Sequence, residues 1–357
     1  MTCPMTRRCQ VDRRTGMRFF HSAPQVQLTQ RISRGIIGLK AAQLTAPRKW
    51  EFVEVEKPQP RDGYALLRLE YVGLCGSDRP PFEGVADSYP LPPGETGHEA
   101  LGIVESCPSG RFQAGERVLI WGHDRGLFQE FVLAKDHLCV GMPAAGEPEI
   151  MLMSQLLGTV IHCMLKLDHV IGKRVVVLGQ GAVGQLFTAT LRNLGAQQII
   201  AIDPHAYRLE TARLMGATHT INLHTNVQQV VSQITDGALA DVVIEAVGRQ
   251  KSINQTIDLL PRGGTLVCFG VPNKDNEAGV IELRYGDLFR KEIKVVTSVG
   301  PSPYNDFVLA HQWIREGRID VRPIATHTMP FEQIQRGFEI AYDTPEEHAA
   351  FKVVLKF

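Results

Sequence analysis

The sequence predicts a two-domain α/β protein, in which an irregular, mostly antiparallel β domain is joined to a doubly wound parallel sheet. At 357 residues the chain is too long for one ordinary hydrophobic core. Residues 39–131 contain short strand-like segments separated by glycine and proline. From about residue 150, near-continuous apolar segments alternate with helical ones, which indicates a second kind of sheet.

The first domain is predicted from alternating apolar and polar residues at regular turn spacing. This pattern is typical of an antiparallel, barrel-like β domain. The segments are "KAAQLTA", "WEFVEVEKP", "YALLRLEYVG", "LGIVESC", "ERVLIWG" and "FQEFVLA".

The second domain is predicted from strands that are apolar throughout, as in a parallel sheet covered on both faces. These are "RVVVLG", "QQIIAID", "ADVVIEAVG", "GTLVCFGV" and "IKVVTSVG". Between them lie helical segments such as "AVGQLFTATLRNLG" and "AYRLETARLMG", each followed by a glycine that can end the helix. Alternating strands and helices predict a doubly wound sheet.

The chain ends in another apolar segment, "FKVVLKF". We expect this strand to fold back on the first domain, because the parallel sheet already has its set of strands. The expected organisation is therefore a basic extension over residues 1–38, a β domain over 39–160 and 300–357, and a doubly wound α/β domain over 161–299.

The composition, with 44% hydrophobic and 21% charged residues, is that of a soluble globular protein. No run of 18 apolar residues occurs, so the sequence predicts no membrane span. Residues 1–40 hold eight basic residues and one acidic residue, which leaves 30 basic and 37 acidic residues in the remainder. The mildly acidic body argues against a nucleic-acid partner.

The basic N-terminal extension leaves three interpretations open: an organelle-targeting peptide, an untargeted flexible extension, or an early start codon with Met17 as the alternative. No apolar h-region follows its arginines, which disfavours a secretory signal. Seven scattered cysteines, without a C-x-x-C pair, indicate a reducing compartment. We expect a cytoplasmic protein, with organelle targeting as the alternative.

A nucleotide site is predicted at "VVVLGQGAVG", where Gly179, Gly181 and Gly184 follow a strand and open a helix. Such glycines permit a tight turn and close approach of the backbone to a pyrophosphate at the helix N-terminus. Asp203 ends the next strand, 19 residues beyond Gly184. A carboxylate there can bind the ribose hydroxyls and would repel a 2′-phosphate, which favours NAD over NADP.

A metal site is predicted from "GLCGSD" and "GETGHEALG". Cys75 is followed by His98 and Glu99, 23 and 24 residues further on. A lone cysteine is more often a small buried residue. Thiolate and imidazole, however, are preferred zinc ligands, and a catalytic zinc site needs three protein ligands and one open position.

These motifs, in this order and spacing, resemble those of the zinc-dependent medium-chain dehydrogenase/reductase family, which includes alcohol, sorbitol, threonine and glucose dehydrogenases. The resemblance covers residues 39–357 and implies a GroES-like β-barrel catalytic domain, a Rossmann domain that binds NAD, and a homodimer or homotetramer. It implies that Cys75 and His98 bind a catalytic zinc ion, that Ser77 takes the proton of the substrate alcohol, and that Asp78 orients the histidine.

Three features depart from the family pattern. Counting back from the Ile161-His162 pair puts Gln155 at the third-ligand position, where a weaker neutral oxygen could be supplemented by Glu99. Pro80 stands where many alcohol dehydrogenases have a relay histidine. The four-cysteine loop of a structural zinc is missing between residues 115 and 141, so one zinc ion at most is expected.

Further positions match less specific features of the family. We expect Glu130 to bind substrate, Thr159 and Val183 to pack on the nicotinamide, Val271 and Val299 to approach its carboxamide, and Arg208 to contact the nucleotide.

The resemblance implies reversible, NAD-dependent and zinc-assisted oxidation of a secondary alcohol, polyol or sugar-like, to a ketone or lactone. Two alternatives are a zinc-free oxidoreductase of the quinone-reductase kind and a catalytically silent NAD-binding protein that lost its metal when Gln155 replaced an acidic ligand. Cys75, His98 and Asp203 speak against the quinone-reductase alternative.

Overall fold

The computed structural model describes residues 38–86, 88–121, 126–272 and 279–357. Apart from its last residue, the predicted basic extension lies outside this range. Gly38–Phe357 forms one compact unit, and the boundaries predicted within it stay predictions. The α/β fold class is confirmed by an antiparallel β part and a parallel, helix-flanked sheet.

The strands, numbered along the chain, are β1 Leu39–Ala46, β2 Lys49–Val55, β3 Tyr64–Gly73, β4 Glu99–Ser106, β5 Arg117–Trp121, β6 Phe131–Lys135, β7 Cys139–Met142, β8 Arg174–Leu178, β9 Gln198–Asp203, β10 His219–Asn222, β11 Val242–Glu245, β12 Thr265–Cys268, β13 Lys294–Thr297, β14 His327–Pro330 and β15 Val353–Lys356. The helices are α1 Arg79–Glu83, α2 Pro148–Met164, α3 Ala182–Asn193, α4 Ala206–Leu214, α5 Val227–Ile234, α6 Gln250–Ile257, α7 Tyr285–Lys291, α8 Val308–Arg315 and α9 Ile334–Tyr342.

The parallel sheet has the order β10-β9-β8-β11-β12-β13, and every pairing in it is parallel. In β8, Val175 and Val177 join the core on one face, while Val176 and Leu178 join the core on the other. Burial on both faces explains why the strand is apolar throughout. The chain order reverses between β8 and β11, where α/β folds of this type place their ligands.

Strand β10 was not expected from the sequence. It contains four residues, "HTIN", of which Ile221 alone is buried, and it lies at the edge of the sheet. A short, half-polar edge strand carries little of the apolar signal that marks the central strands.

Two helices end as expected at glycine. Gly195 and Gly216 follow the last turns of α3 and α4 with φ of 82° and 104°. This left-handed conformation is favourable for glycine because it lacks a Cβ atom.

The other large sheet has the order β14-β15-β3-β4-β5-β7, with β6 also paired to β3. Strand β15 pairs antiparallel with β3, opposing Leu355 to Val72. The prediction that the C-terminal strand folds back on the first domain is therefore confirmed. Aromatic side chains fill this part of the core, with Trp50, Phe128 and Phe338 in mutual ring contact.

Helix α2 connects the two sheets. Its residues Met151 and Leu152 join the core beside β4, β5 and β7, whereas Leu156 and Val160 join the core of the parallel sheet. The helix is therefore buried along most of its length and positions side chains between the two halves. Within the described ranges, no helix is long and apolar enough to cross a membrane.

Candidate metal and nucleotide sites

The metal-site candidates meet where β3 and β4 pair. Gly73, the last residue of β3, lies opposite Glu99, the first residue of β4. This register brings Cys75, two residues beyond β3, next to His98. One ligand atom each of Cys75, His98 and Glu99 lies within 4.8 Å of the others.

Gly73 allows the close packing beneath this cluster. A Cβ atom there would lie 3.0 Å from Lys352 Cε, 3.1 Å from Glu99 Oε2 and 3.3 Å from Leu152 Cδ2. Leu152 belongs to α2, and Gln155 lies three residues further along the same face of that helix. The packing thus directs this face of α2 towards Glu99.

Two buried oxygen atoms in this region have no hydrogen-bond partner in the described chain, namely Glu99 Oε1 and Gln155 Oε1. Buried polar atoms are normally satisfied, so two such acceptors indicate a missing ligand. The Cys75 thiol, the His98 imidazole and Glu99 Oε1 form a sulfur, nitrogen and oxygen donor set that suits Zn²⁺, and the expected role of Gln155 as a ligand stays a prediction. The residues present therefore fit a zinc ion.

Asp78 holds the loop in place. Its side chain is 1% exposed and accepts hydrogen bonds from the Cys75 backbone N–H at 2.7 Å and from Thr96 Oγ1 at 2.6 Å. Its Oδ1 lies 3.5 Å from His98 Nδ1. Burial alone would raise the pKa of Asp78, but hydrogen bonding to His98, the charge of His98 and the other hydrogen bonds lower it.

The contact with Asp78 orients the His98 ring. With Nδ1 towards Asp78, Nε2 faces Ser77 Oγ at 3.4 Å and Glu99 Oε1 at 3.9 Å. Burial lowers the pKa of His98, but the neighbouring Cys75 and Asp78 charges outweigh it and raise the pKa well above its ordinary value. A proton held there would be released on metal binding, since the ligand nitrogen must be unprotonated.

Lys352 was missed by the sequence reasoning. It is 2% exposed, forms an ion pair with Glu99 Oε2, and donates to the Leu74 carbonyl at 2.8 Å. Burial lowers the pKa of Lys352, but the charges of Glu99 and Cys75 raise it on balance. Glu99 thus pairs one carboxylate oxygen with Lys352, while its Oε1 has no hydrogen-bond partner in the described chain. A lysine at the start of the apolar strand "FKVVLKF" was the available signal.

Tyr342, at the end of α9, was also missed. Its hydroxyl donates to the Cys75 carbonyl at 2.5 Å, and its ring contacts Phe338 and Phe82. Burial raises the pKa of Tyr342 well above its ordinary value, and Asp78 and Cys75 add to the shift. The hydroxyl therefore remains a donor that fixes the backbone of the Cys75 loop.

The glycine-rich loop has the geometry that a nucleotide site requires. Gly179 has φ of 94°, and a Cβ atom at Gly184 would lie 1.9 Å from the Gly179 carbonyl oxygen. A Cβ atom at Gly181 would meet no atom within 4 Å. Gly179 therefore serves the turn and Gly184 the packing of α3, while Gly181 leaves space for a ligand.

Gly179 and Gly181 line a cleft of about 860 Å³ at the carboxyl ends of the parallel strands. Asp203 and Arg208 line the same cleft, and so does Gly76, the neighbour of Cys75. The structure thus brings four of the predicted nucleotide residues and the neighbour of Cys75 to a single cleft. Its position at the reversal of strand order fits a dinucleotide.

Asp203 is 2% exposed and already has several partners. Its Oδ2 accepts from the Gln180 backbone N–H at 2.8 Å, and its Oδ1 accepts from the His205 N–H at 3.0 Å and contacts His205 Nδ1 at 2.8 Å. Arg208 Nη1 lies 3.6 Å from Oδ2. A carboxylate has about four acceptor positions, so part of its capacity remains for a ribose hydroxyl.

The remaining predicted positions are less closely associated with the cleft. Glu130 accepts a hydrogen bond from the Lys40 backbone N–H at 2.7 Å, and Thr159 Oγ1 donates to the Leu156 carbonyl at 2.7 Å. Val183 lies in the first turn of α3. Val271 and Val299 are 47% and 92% exposed. The ligand contacts expected of these residues stay predictions.

Comparison with known proteins identifies the family. Residues 61–144 match the alcohol dehydrogenase GroES-like domain, and residues 182–316 match the zinc-binding dehydrogenase domain. Together these matches cover more than half of the chain. The chain belongs to the zinc-type medium-chain dehydrogenase/reductase family. It is therefore an oxidoreductase, and its family uses zinc and a nicotinamide dinucleotide.

Individual relatives of this dehydrogenase agree with the assignment. An L-threonine 3-dehydrogenase of Caldanaerobacter subterraneus is 29% identical over 323 residues, which cover 81% of this chain and 91% of the relative. A sorbitol dehydrogenase of Halalkalibacterium halodurans is 27% identical over 351 residues, covering 89% and 99%. The crystal structure of an Escherichia coli oxidoreductase/dehydrogenase of unknown specificity has the same fold, with a TM-score of 0.79 at 24% identity, covering 90% and 99%.

Proposed function

We propose that this dehydrogenase catalyses the reversible, NAD-dependent and zinc-assisted oxidation of a secondary alcohol, polyol or sugar-like, to a ketone or lactone. The observation that carries the proposal is the cluster of Cys75, His98 and Glu99 beside the glycine-lined cleft. The cluster offers metal ligands, and the cleft offers a dinucleotide site that reaches the same loop.

In this proposal Cys75 and His98 hold the zinc ion, and Gln155 Oε1 or Glu99 Oε1 supplies the third protein ligand, which leaves one position open for the substrate. When bound, zinc polarises the substrate hydroxyl as a Lewis acid and the nicotinamide accepts a hydride. One zinc ion per chain is proposed. Asp78 keeps the proton of His98 on Nδ1, so that Nε2 stays free to bind metal.

Ser77 is proposed to take the proton of the substrate hydroxyl. Its Oγ lies 3.4 Å from His98 Nε2 and is therefore next to the proposed metal position. Pro80 has no titratable group, so the proton leaves through water, a ribose hydroxyl of the cofactor or another side chain. Ser77→Ala should lower kcat more than it lowers the affinity for zinc or NADH.

A polar substrate is favoured because Ser77 and Glu130, the residues proposed to contact it, have polar side chains, and because relatives of the chain include sorbitol and L-threonine dehydrogenases. Hydrogen bonds between such groups and several hydroxyls discriminate strongly against substrates that lack them. Purified enzyme should be tested for NADH formation with polyols, sugars, amino alcohols and diols, alongside metal analysis. Zinc and turnover of a secondary polyol or sugar support the proposal. A zinc-free protein that reduces quinones with NADPH contradicts it.

NAD is proposed as the cofactor because the buried Asp203 carboxylate borders the cleft at the end of β9. A negative charge at this point favours ribose hydroxyls and disfavours a 2′-phosphate. Gly179, Gly181 and Gly184 shape the pyrophosphate site. Arg208, Thr159, Val183, Val271 and Val299 are proposed to contact other parts of the nucleotide, and Glu130 to contact substrate.

We also propose that the enzyme is a homodimer or a homotetramer. Strand β13 is at the edge of the parallel sheet, and large apolar side chains near it are exposed. Among these, Tyr285 and Phe289 are 72% exposed and Val295 is 44% exposed. Such an edge can pair with its copy across a two-fold axis. Light scattering coupled to size-exclusion chromatography tests this, and a monomer at micromolar concentration contradicts it.

A further inference from the structure

His205 lies between two carboxylates at the mouth of the nucleotide cleft. Its Nδ1 is 2.8 Å from Asp203 Oδ1, and its Nε2 forms an ion pair with Glu346 Oε1. A neutral imidazole has one N–H and one acceptor nitrogen. Both contacts are therefore hydrogen bonds only when both ring nitrogens carry hydrogen.

Glu346 comes from a distant part of the chain, the segment 343–352 between α9 and β15. A second set of contacts holds this segment against the turn that carries His205. The ring of Tyr207 packs edge-on against Phe351 with centroids 5.4 Å apart, and its hydroxyl is 3.5 Å from the Ala350 carbonyl oxygen. The ion pair is thus part of a packed contact.

The turn after β9 is where a 2′-phosphate would arrive. A ribose bound to Asp203 directs its 2′-position towards the residues that follow this strand. Two side chains that can donate hydrogen bonds to a phosphate are present there, His205 and Arg208, and both line the cleft. Charge-assisted hydrogen bonds from such groups are what a phosphate requires. Glu346 already pairs with one of them.

We propose that Glu346 is a specificity-determining residue that excludes NADP. By binding His205 Nε2, it withholds the imidazole from a 2′-phosphate and places a second negative charge beside Asp203. The inference rests on the proposed use of NAD. It assigns part of the selectivity for NAD over NADP to a residue outside the parallel sheet and its helices.

The test compares Glu346→Gln with Glu347→Gln. Glu347 is the exposed next residue and forms no ion pair within the described residues. Dissociation constants for NADH and NADPH are measured by nucleotide fluorescence at low ionic strength, where surface charge is least screened. We expect Glu346→Gln to bind NADPH about threefold to fivefold more tightly, as one exposed charge contact allows. Its affinity for NADH, and both affinities of Glu347→Gln, should change less than about twofold.

A double variant identifies the group that is released. If His205 is the phosphate ligand, the gain in NADPH affinity should be lost when Glu346→Gln is combined with His205→Gln. The inference is overturned if Glu346→Gln resembles Glu347→Gln, or if the gain persists without His205. If wild-type protein binds NADH, the proposal that NAD is the cofactor is retained, whatever the result for Glu346→Gln. Wild-type protein that binds neither nucleotide overturns both proposals.

Discussion

Replacing Lys352 with methionine should destabilise the metal-free enzyme far more than the zinc-loaded one. Lys352 and Glu99 are 2% and 1% exposed and form an ion pair, and Glu99 Oε1 has no hydrogen-bond partner in the described chain. Removing one member of a buried pair leaves an uncompensated charge, which costs about 3–5 kcal/mol. A zinc ion bound by Glu99 would supply the missing positive charge and reduce this cost.

The assay is urea unfolding of wild type and Lys352→Met, each with zinc and with a mild chelator. Lys356→Met is the matched control, because Lys356 is an exposed lysine on β15, the strand that Lys352 directly precedes. We expect the control to change the free energy of unfolding by less than about 0.5 kcal/mol. Equal losses for the two variants, or a loss at Lys352 that zinc does not reduce, would refute the reasoning.

Three further predictions concern single side chains. Wild type should prefer NAD to NADP by at least about tenfold in kcat/KM, and Asp203→Ser should reduce that ratio because the charge facing the ribose is lost. Tyr342→Phe should weaken zinc binding and shift the thiolate absorption of the cobalt-substituted enzyme, because the hydroxyl no longer holds the Cys75 carbonyl. Asp241→Asn should lower the free energy of unfolding by about 1–2 kcal/mol at pH 7, since Arg174 donates three hydrogen bonds to Asp241. Hydrogen bonding to Arg174 lowers the pKa of Asp241 in the folded protein. The stabilisation is therefore present above about pH 4, the pKa of an unfolded aspartate, and is lost as the pH falls through the lower pKa of the folded state. At that low pH, urea unfolding should give the same free energy for wild type and Asp241→Asn.

The sequence alone predicted those strands and site residues that belong to a local residue pattern. Apolar runs predicted β8, β9, β11 and β12, because strands buried on both faces must be apolar. The apolar run at β13 also predicted a strand, although β13 lies at the edge of the sheet and is largely exposed. The spacing between Cys75 and His98 predicted their proximity because both belong to short motifs beside neighbouring strands.

What the sequence did not reveal depends on contacts between distant segments. Lys352 reaches Glu99 across 253 residues, and Tyr342 reaches Cys75 across 267 residues. Neither residue lies in a motif, and a lysine in an apolar strand is normally expected at an exposed position. Glu346 belongs to a polar connection whose local pattern indicates only a loop. The register of β15 against β3 and the packing of α9 determine these contacts.

The central claim is that Cys75 binds a catalytic zinc ion. The most direct measurement is zinc content and NAD-linked turnover of wild type, Cys75→Ala and the control Cys107→Ala, after dialysis against a mild chelator. We expect about one zinc ion per chain and full turnover in wild type and the control, and neither in Cys75→Ala. Full zinc content and full turnover in Cys75→Ala would contradict the claim and make Cys75 a small residue in a tight turn.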